Sequence, residues 1–155
     1  VTATSYPTLD ELFRDRWVPS VRLATALTSD RGAAEEIVQD AFLALSRRWA
    51  TVDNPAGYLR TAVVNRCHDH HRRIGVRRRV LPPPPEVSQQ APEYDEVWIV
   101  LARLPERRRA ALVLRYYEDL PIDEIARLLD CRPGTVSSLL HRGLADLEEV
   151  LGHAR

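Results

Sequence analysis

The chain has 155 residues, enough for one domain or two small ones, and its 22 basic and 22 acidic residues cancel to a formal net charge of zero. No apolar run reaches membrane-spanning length and no signal-peptide pattern stands out, which together point to a cytoplasmic protein without membrane insertion. Two cysteines, Cys67 and Cys131, are too few and too far apart for a disulfide scaffold, so reduced thiols are expected.

The neutral total hides segregation. Residues 1–46 lean acidic, whereas 47–79 carry Arg47, Arg48, Arg60, Arg66, Arg72, Arg73, Arg77, Arg78 and Arg79 against only Asp53 and Asp69. A basic block in a neutral chain suggests one face for phosphates and another for a different partner. Every basic residue is arginine; the chain has no lysine.

The first predicted helix opens at Thr8, with Glu11 three residues on as a capping box. Its apolar stripe reads Phe13, Trp17, Val21, Ala24 and Leu27, and Pro19 is expected to kink or break it. The second follows Asp30 as N-cap. Ala34, Ile37, Val38, Ala41, Phe42, Leu45 and Trp49 give it the best amphipathic pattern in the chain. Leu43 falls off that stripe among Glu36, Gln39, Asp40 and Arg47. One exposed leucine needs no explanation; one ringed by polar groups resembles the anchor and rim of a protein interface.

The third predicted helix begins at Asn54-Pro55, an N-cap followed by proline at the first helical position. It buries Leu59, Ala62, Val63 and Cys67 and turns Tyr58, Thr61, Asn65, His68 and Arg72 outward. Amide, hydroxyl and guanidinium groups bond to bases and phosphates, and a tyrosine stacks on an unpaired base. Cys67, His68, His70 and His71 also invite a metal reading, since Cys67 and His71 stand four apart. A helix turns them to several faces and no fourth ligand is near, so neither metal nor other cofactor is expected.

The proline-rich run LPPPPEVSQQAP at 81–92 cannot continue a helix. It divides the chain into a helical domain at 1–75, a flexible linker at 76–93 and a second helical domain at 94–155. After it, 94–104 reads as one helix and 106–117 as another, with Ala110, Val113, Leu114 and Tyr117 on its core side. PIDEIARLLDCRPGTVSSLLHRGLADLEEV at 121–150 then reads as a helix-turn-helix. Ile122, Ile125, Ala126 and Leu129 stripe its first helix. Pro133 opens the second, whose stripe is Val136, Leu140, Gly143, Leu144, Leu147 and Leu151. Thr135, Ser138, His141 and Arg142 lie opposite, with Arg132 at the mouth, as in a helix that enters the major groove of DNA. The fold class is therefore all-α, two small helical domains. No nucleophile–base pair and no phosphate loop is present, so no enzyme is expected.

In this order and spacing the segments resemble the bacterial extracytoplasmic-function (ECF) RNA polymerase sigma factors of the sigma-70 family, in their minimal form of region 2 plus region 4. The resemblance rests on RGAAEEIVQDAFLALSRRW at 31–49, NPAGYLRTAVVNRCHDHHRR at 54–73 and LPERRRAALVLRYYEDLPIDEIARLLDCRPGTVSSLLHRGLADL at 104–147. It implies a transcription initiation factor with core RNA polymerase, promoter DNA and an anti-sigma factor as partners. Glu36, Gln39, Asp40, Leu43 and Arg47 would dock on the β′ clamp, and the β flap would be a further contact on polymerase. The loop at 51–57, with Tyr58, Thr61, Asn65, His68 and Arg72, would capture the −10 element as its strands open. Arg132, Thr135, Ser138, His141 and Arg142 would read the −35 duplex. Many relatives carry basic residues where this chain has Ser137, Leu139 and Leu144, which implies fewer phosphate contacts and a shallower salt dependence here. A stand-alone helix-turn-helix regulator is the alternative; it would need a sensing or dimerising domain in 1–75, where no β/α alternation is visible.

Overall fold

Helices supply all the regular structure among the described residues. The computed structural model describes residues 5–80 and 96–153, with side chains over 5–74 and 97–153. Helices α1 (Leu9–Thr28), α2 (Arg31–Arg48) and α3 (Pro55–Val80) come first. Then follow α4 (Glu96–Leu101), α5 (Glu106–Leu112), a π-helical turn (Val113–Tyr117), α6 (Ile122–Leu128) and α7 (Pro133–His153). The chain divides into two compact units between Val87 and Ser88.

In the first unit α1, α2 and α3 each pack on the other two. The three N-caps foreseen from the sequence form: Thr8 accepts the Glu11 N–H at 3.2 Å, Asp30 that of Ala33 at 3.1 Å, and Asn54 that of Gly57 at 3.1 Å. Each satisfies one donor that the first helical turn leaves without a backbone partner. The stripe of α2 is buried as read from Ala34 to Leu45, with Trp49 half-buried just past the helix end, and α3 buries Leu59, Ala62, Val63 and Cys67 with Val64 beside them.

Helix α1 departs from expectation in the face it buries, and of the kink or break expected at Pro19 there is no break. It runs unbroken through Pro19. Packing on both sides of the proline, by Leu12 and by Leu23, Ala24 and Leu27, outweighs the hydrogen bond that proline removes. Its buried stripe is also rotated: Leu12 and Leu23 are fully buried, while Phe13 is 42% exposed and Trp17 half-buried. Small Ser20, Ala24 and Thr28 are buried with the two leucines, and Thr28 Oγ1 donates to Ala24 O at 2.7 Å, so its burial leaves no unmet donor. Phe13, Trp17 and Phe42 form an aromatic group at the margin, with centroids 5.0 to 6.2 Å apart.

Helix α3 continues to Val80, five residues past the expected end of the first domain at 75. No proline falls between Pro55 and Pro82, so nothing stops the helix at 75. The proline run at 81–92 and the remainder of the linker to residue 93 lie outside the described residues.

In the second unit α7 packs on α4, α5 and α6. The helix expected over 106–117 divides. After Leu112 the backbone loosens to a π turn, closed by the Glu118 N–H on Val113 O at 3.1 Å. The wider turn rolls Tyr117 away from the core, to 38% exposure and an edge-to-face contact with Trp98 at 5.2 Å, and Leu120 is buried in its stead. Helix α7 buries Val136, Leu140 and Gly143, but Leu144 and Leu151 are exposed and Leu147 is half-buried. The contacts of α7 follow the 136–140–143 row, and Leu144 stands a further 100° around the helix from Gly143.

Candidate polymerase and promoter interfaces

Three outward faces carry the residues that the sequence singled out. On α2, Glu36, Gln39, Asp40, Leu43 and Arg47 are all exposed, on the side away from Val38, Ala41 and Leu45. Leu43 is 57% exposed on the outer side of α2. An apolar side chain held there among charged and amide groups has the form of an anchor for a protein partner.

The second face belongs to α3. Thr61, Asn65, His68 and Arg72 are exposed and recur at helical spacing, and Tyr58 is half-buried at the start of the row. The loop before it is stiffened from α2: the Thr51 hydroxyl donates to Arg48 O at 3.0 Å and the Val52 N–H to the same oxygen at 3.1 Å. Gly57 lies directly under the Asn54 cap, where an added Cβ would come within 2.6 Å of Asn54 Nδ2. The glycine thus keeps the cap seated at the point where the loop enters α3.

Cys67 faces the core, and burial pushes its thiol up to about 12, so the thiolate that a metal requires is disfavoured. His71 Nε2 is instead engaged with Leu27 O, tying α3 to the end of α1. Among the described residues no three histidine, cysteine, aspartate or glutamate side chains converge to hold an ion.

The third face is the N-terminal half of α7, where Arg132, Thr135, Ser138, His141 and Arg142 are all exposed. The turn before it is set by Asp130 at φ 50°, a left-handed position that aspartate tolerates better than most residues. The Cys131 N–H bonds back to Ala126 O at 3.0 Å and closes the end of α6.

The sequence reading missed what holds α7. Arg107, Arg108 and Arg109 go to three different helices. Arg107 Nη2 donates to Leu129 O at the end of α6 at 3.3 Å, and Arg108 Nη1 pairs with Asp146 of α7 at 2.7 Å. Arg109, only 5% exposed, donates from Nη1 to Ala102 O just past α4 at 3.2 Å. Burial lowers the Arg109 pKa, with Glu106 acting the other way. Where α5 and α7 cross, Gly143 permits the approach: a Cβ there would lie 2.9 Å from Leu112 Cδ1. A signal did exist. Successive helical residues point about 100° apart, so three adjacent arginines are spread over some 200° of the helix surface and are directed toward different neighbours.

Both units match families of known proteins. The description "Sigma-70 region 2" matches residues 14–77, and "Sigma-70, region 4" matches residues 95–147. The RNA polymerase sigma-E factor of Streptomyces coelicolor is 30% identical, over 92% of this chain and 85% of its own. The ECF RNA polymerase sigma factor SigM of Mycobacterium tuberculosis is 30% identical, over 93% of this chain and 77% of its own. The fold is shared with the sigma factor RpoE solved in complex with the anti-sigma factor NepR from Bartonella quintana, with TM-score 0.69 and 19% identity over 94% of this chain and 99% of that one.

The first unit is thus a sigma region 2 and the second a sigma region 4. The chain belongs to the sigma-70 family, among the extracytoplasmic-function sigma factors, and is a factor that directs RNA polymerase to promoters. A stand-alone regulator would leave the region 2 match unexplained.

Proposed function

We propose that the three outward faces divide the work of promoter selection. Glu36, Gln39, Asp40, Leu43 and Arg47 of α2 dock on the β′ clamp of core RNA polymerase. Tyr58, Thr61, Asn65, His68 and Arg72, with the 51–57 loop, take the −10 element as its strands separate. A base that leaves the stack needs a replacement surface, and Tyr58 with Arg72 offers one. Arg132, Thr135, Ser138, His141 and Arg142 read the −35 element as duplex, the mode of a helix-turn-helix in the major groove. Two domains, at 1–75 and 94–155 with a linker between them, suit two separate promoter elements. The second domain also meets the β flap.

The observation that carries this reading is that one three-helix unit presents an exposed apolar anchor on α2 and, on α3, an exposed polar row headed by half-buried Tyr58. These are different chemistries, suited to a protein and to nucleic acid. The same faces, when polymerase is absent, suit an anti-sigma factor, the partner named for the fold neighbour. The work is binding and positioning without catalysis, and its place is the cytoplasm with the polymerase. No helix among the described residues is long and apolar enough to cross a membrane.

Run-off transcription with purified core polymerase on a genomic fragment library tests the reading. Discrete transcripts that require this chain are expected. Leu43→Ala and Asp40→Ala should abolish most of them while leaving the melting temperature nearly unchanged, since surface substitutions typically cost under about 0.5 kcal/mol. No sigma-dependent transcript, or full activity of both variants, would count against it.

A further inference from the structure

Of the three adjacent arginines of α5, two are spent inside the second unit. Arg108 is paired with Asp146, and Arg109 is buried with its Nη1 on Ala102 O. Arg107 differs. It is exposed, and its hydrogen bond from Nη2 to Leu129 O, at 3.3 Å, leads to the last residue before the turn of the helix-turn-helix. The two residues stand 22 apart in the chain, so packing of the unit and not local sequence places this guanidinium.

Leu129 caps the C-terminus of α6. The last carbonyls of a helix lack helical partners and form the negative end of its dipole, so a guanidinium is held there favourably. The bond uses one N–H group of Arg107, and the others have no partner among the described residues. At most about 11 Å of chain separates Leu129 from Arg132 at the mouth of α7. The turn between them holds one carboxylate, Asp130. Among the described residues none of Arg107, Asp130 and Arg132 takes part in an ion pair. Two arginines against one aspartate leave the entrance of α7 positive.

We propose that Arg107 contacts a phosphate of the −35 duplex, so that α5 supplies a binding residue to the helix-turn-helix. The inference rests on the reading of α7 as the −35 face. That face is lean in charge, since Arg142 is the one arginine of α7 itself. In a helix-turn-helix the recognition helix enters the groove and the helix before it crosses the backbone. Arg107 stands at the end of that preceding helix. A guanidinium already held by Leu129 O loses little further freedom on binding, and its planar fork suits phosphate oxygens. Such a contact carries no sequence information. Arg107 therefore adds affinity and salt dependence, while Thr135, Ser138, His141 and Arg142 read the bases.

The test is equilibrium binding of the full chain, assembled with core RNA polymerase, to a duplex fragment over a range of salt. The fragment is selected from a random-sequence pool by the wild-type assembly. Arg107→Gln should make the slope of log affinity against log salt shallower by about 0.9, the share of one phosphate. The loss should be equal on the selected fragment and on its −35 point variants. Arg107→Lys keeps the charge and should retain most of the slope. Thermal denaturation checks that both variants are folded. An unchanged slope for Arg107→Gln while Arg142→Ala binds weakly overturns the contact and leaves the −35 reading intact. If neither Arg107→Gln nor Arg142→Ala changes binding, the −35 reading fails and the proposal with it. Loss of discrimination among the −35 variants at an unchanged slope would make Arg107 a brace for the turn only, and also overturns the proposal.

Discussion

Arg108 of α5 and Asp146 of α7 meet at 2.7 Å, each about three-quarters shielded from solvent, three residues along α7 from the close crossing at Gly143. Together the pair and the crossing fix where α7 lies on α5, and so where the N-terminal half of α7 is presented. Asp146→Ala should lower stability by about 1 kcal/mol, more than a fully exposed pair would contribute, because it strands a partly desolvated guanidinium. Exchanging the charges, Arg108→Asp with Asp146→Arg, should recover part of that loss in thermal denaturation. If the double variant is no more stable than the sum of the singles, the pair is not coupled.

Gly143 gives a steric test at the same crossing. Gly143→Ala puts its Cβ against the end of Leu112, and the helix propensity gained over glycine, about 1 kcal/mol, should leave the net change small. Gly143→Val adds two further methyl groups to a filled site and should destabilise by about 1–3 kcal/mol. Equal melting temperatures for the valine and alanine variants would show that the helices are not in close contact there.

On α3, Asn65→Ala and Tyr58→Ala should reduce open-complex formation on duplex promoters. A promoter pre-melted at −10 should restore part of an opening defect, whereas loss of base recognition should persist. Permanganate reactivity of thymines reads the opening directly. Wild-type reactivity in both variants would remove these residues from the −10 role.

On α7, Arg142 and Arg132 are the arginines at the proposed −35 face and its mouth. If Arg142 reads a guanine bidentately, Arg142→Ala should cost about 1–3 kcal/mol, confined to that base. If it meets a phosphate, binding should weaken evenly across sequences and the salt slope fall by about one. Competition against −35 point variants at two salt concentrations separates these outcomes. Should Arg142→Ala and Arg132→Ala both leave binding and its salt dependence unchanged, α7 does not enter the groove in this way.

Cys67 predicts a pH response. Burial holds its thiol at about 12, above its ordinary 9.0. The folded state therefore holds the proton more tightly than the unfolded chain. The resulting stability is fully present below about pH 9 and is lost as pH rises from there toward 12. Cys67→Ala should flatten the alkaline fall in stability. In the native protein at neutral pH a thiol reagent should modify half-buried Cys131 and spare Cys67 until unfolding. Rapid modification of both would contradict the burial.

Local chemistry was legible from the sequence wherever local rules decide. Thr8, Asp30 and Asn54 cap their helices as read, because a capping oxygen needs only the N–H groups two or three residues ahead. The stripes of α2 and α3 emerged for the same reason: a regular repeat on a long helix has one way to face a core. That placed Leu43 outside, and Asn65 and Arg72 on the opposite side of α3 from Cys67.

What depended on packing was not legible. Hydropathy put Phe13 and Trp17 at the centre of α1, yet close helix contact favours small Ser20 and Ala24, and the aromatic rings were moved to the margin. Pro19 stayed helical because burial on both sides held it so. Tyr117 was expected inside, and only the π turn, a one-residue change in register, rolled it outward. The three destinations of Arg107, Arg108 and Arg109 depend on where α4, α6 and α7 come to rest around α5. The sequence by itself determined the helices, their caps and their polar faces, since these follow from interactions within a few residues. The tertiary structure decided which side chains bridge between helices and how α7 is held, since those contacts join residues distant in the chain.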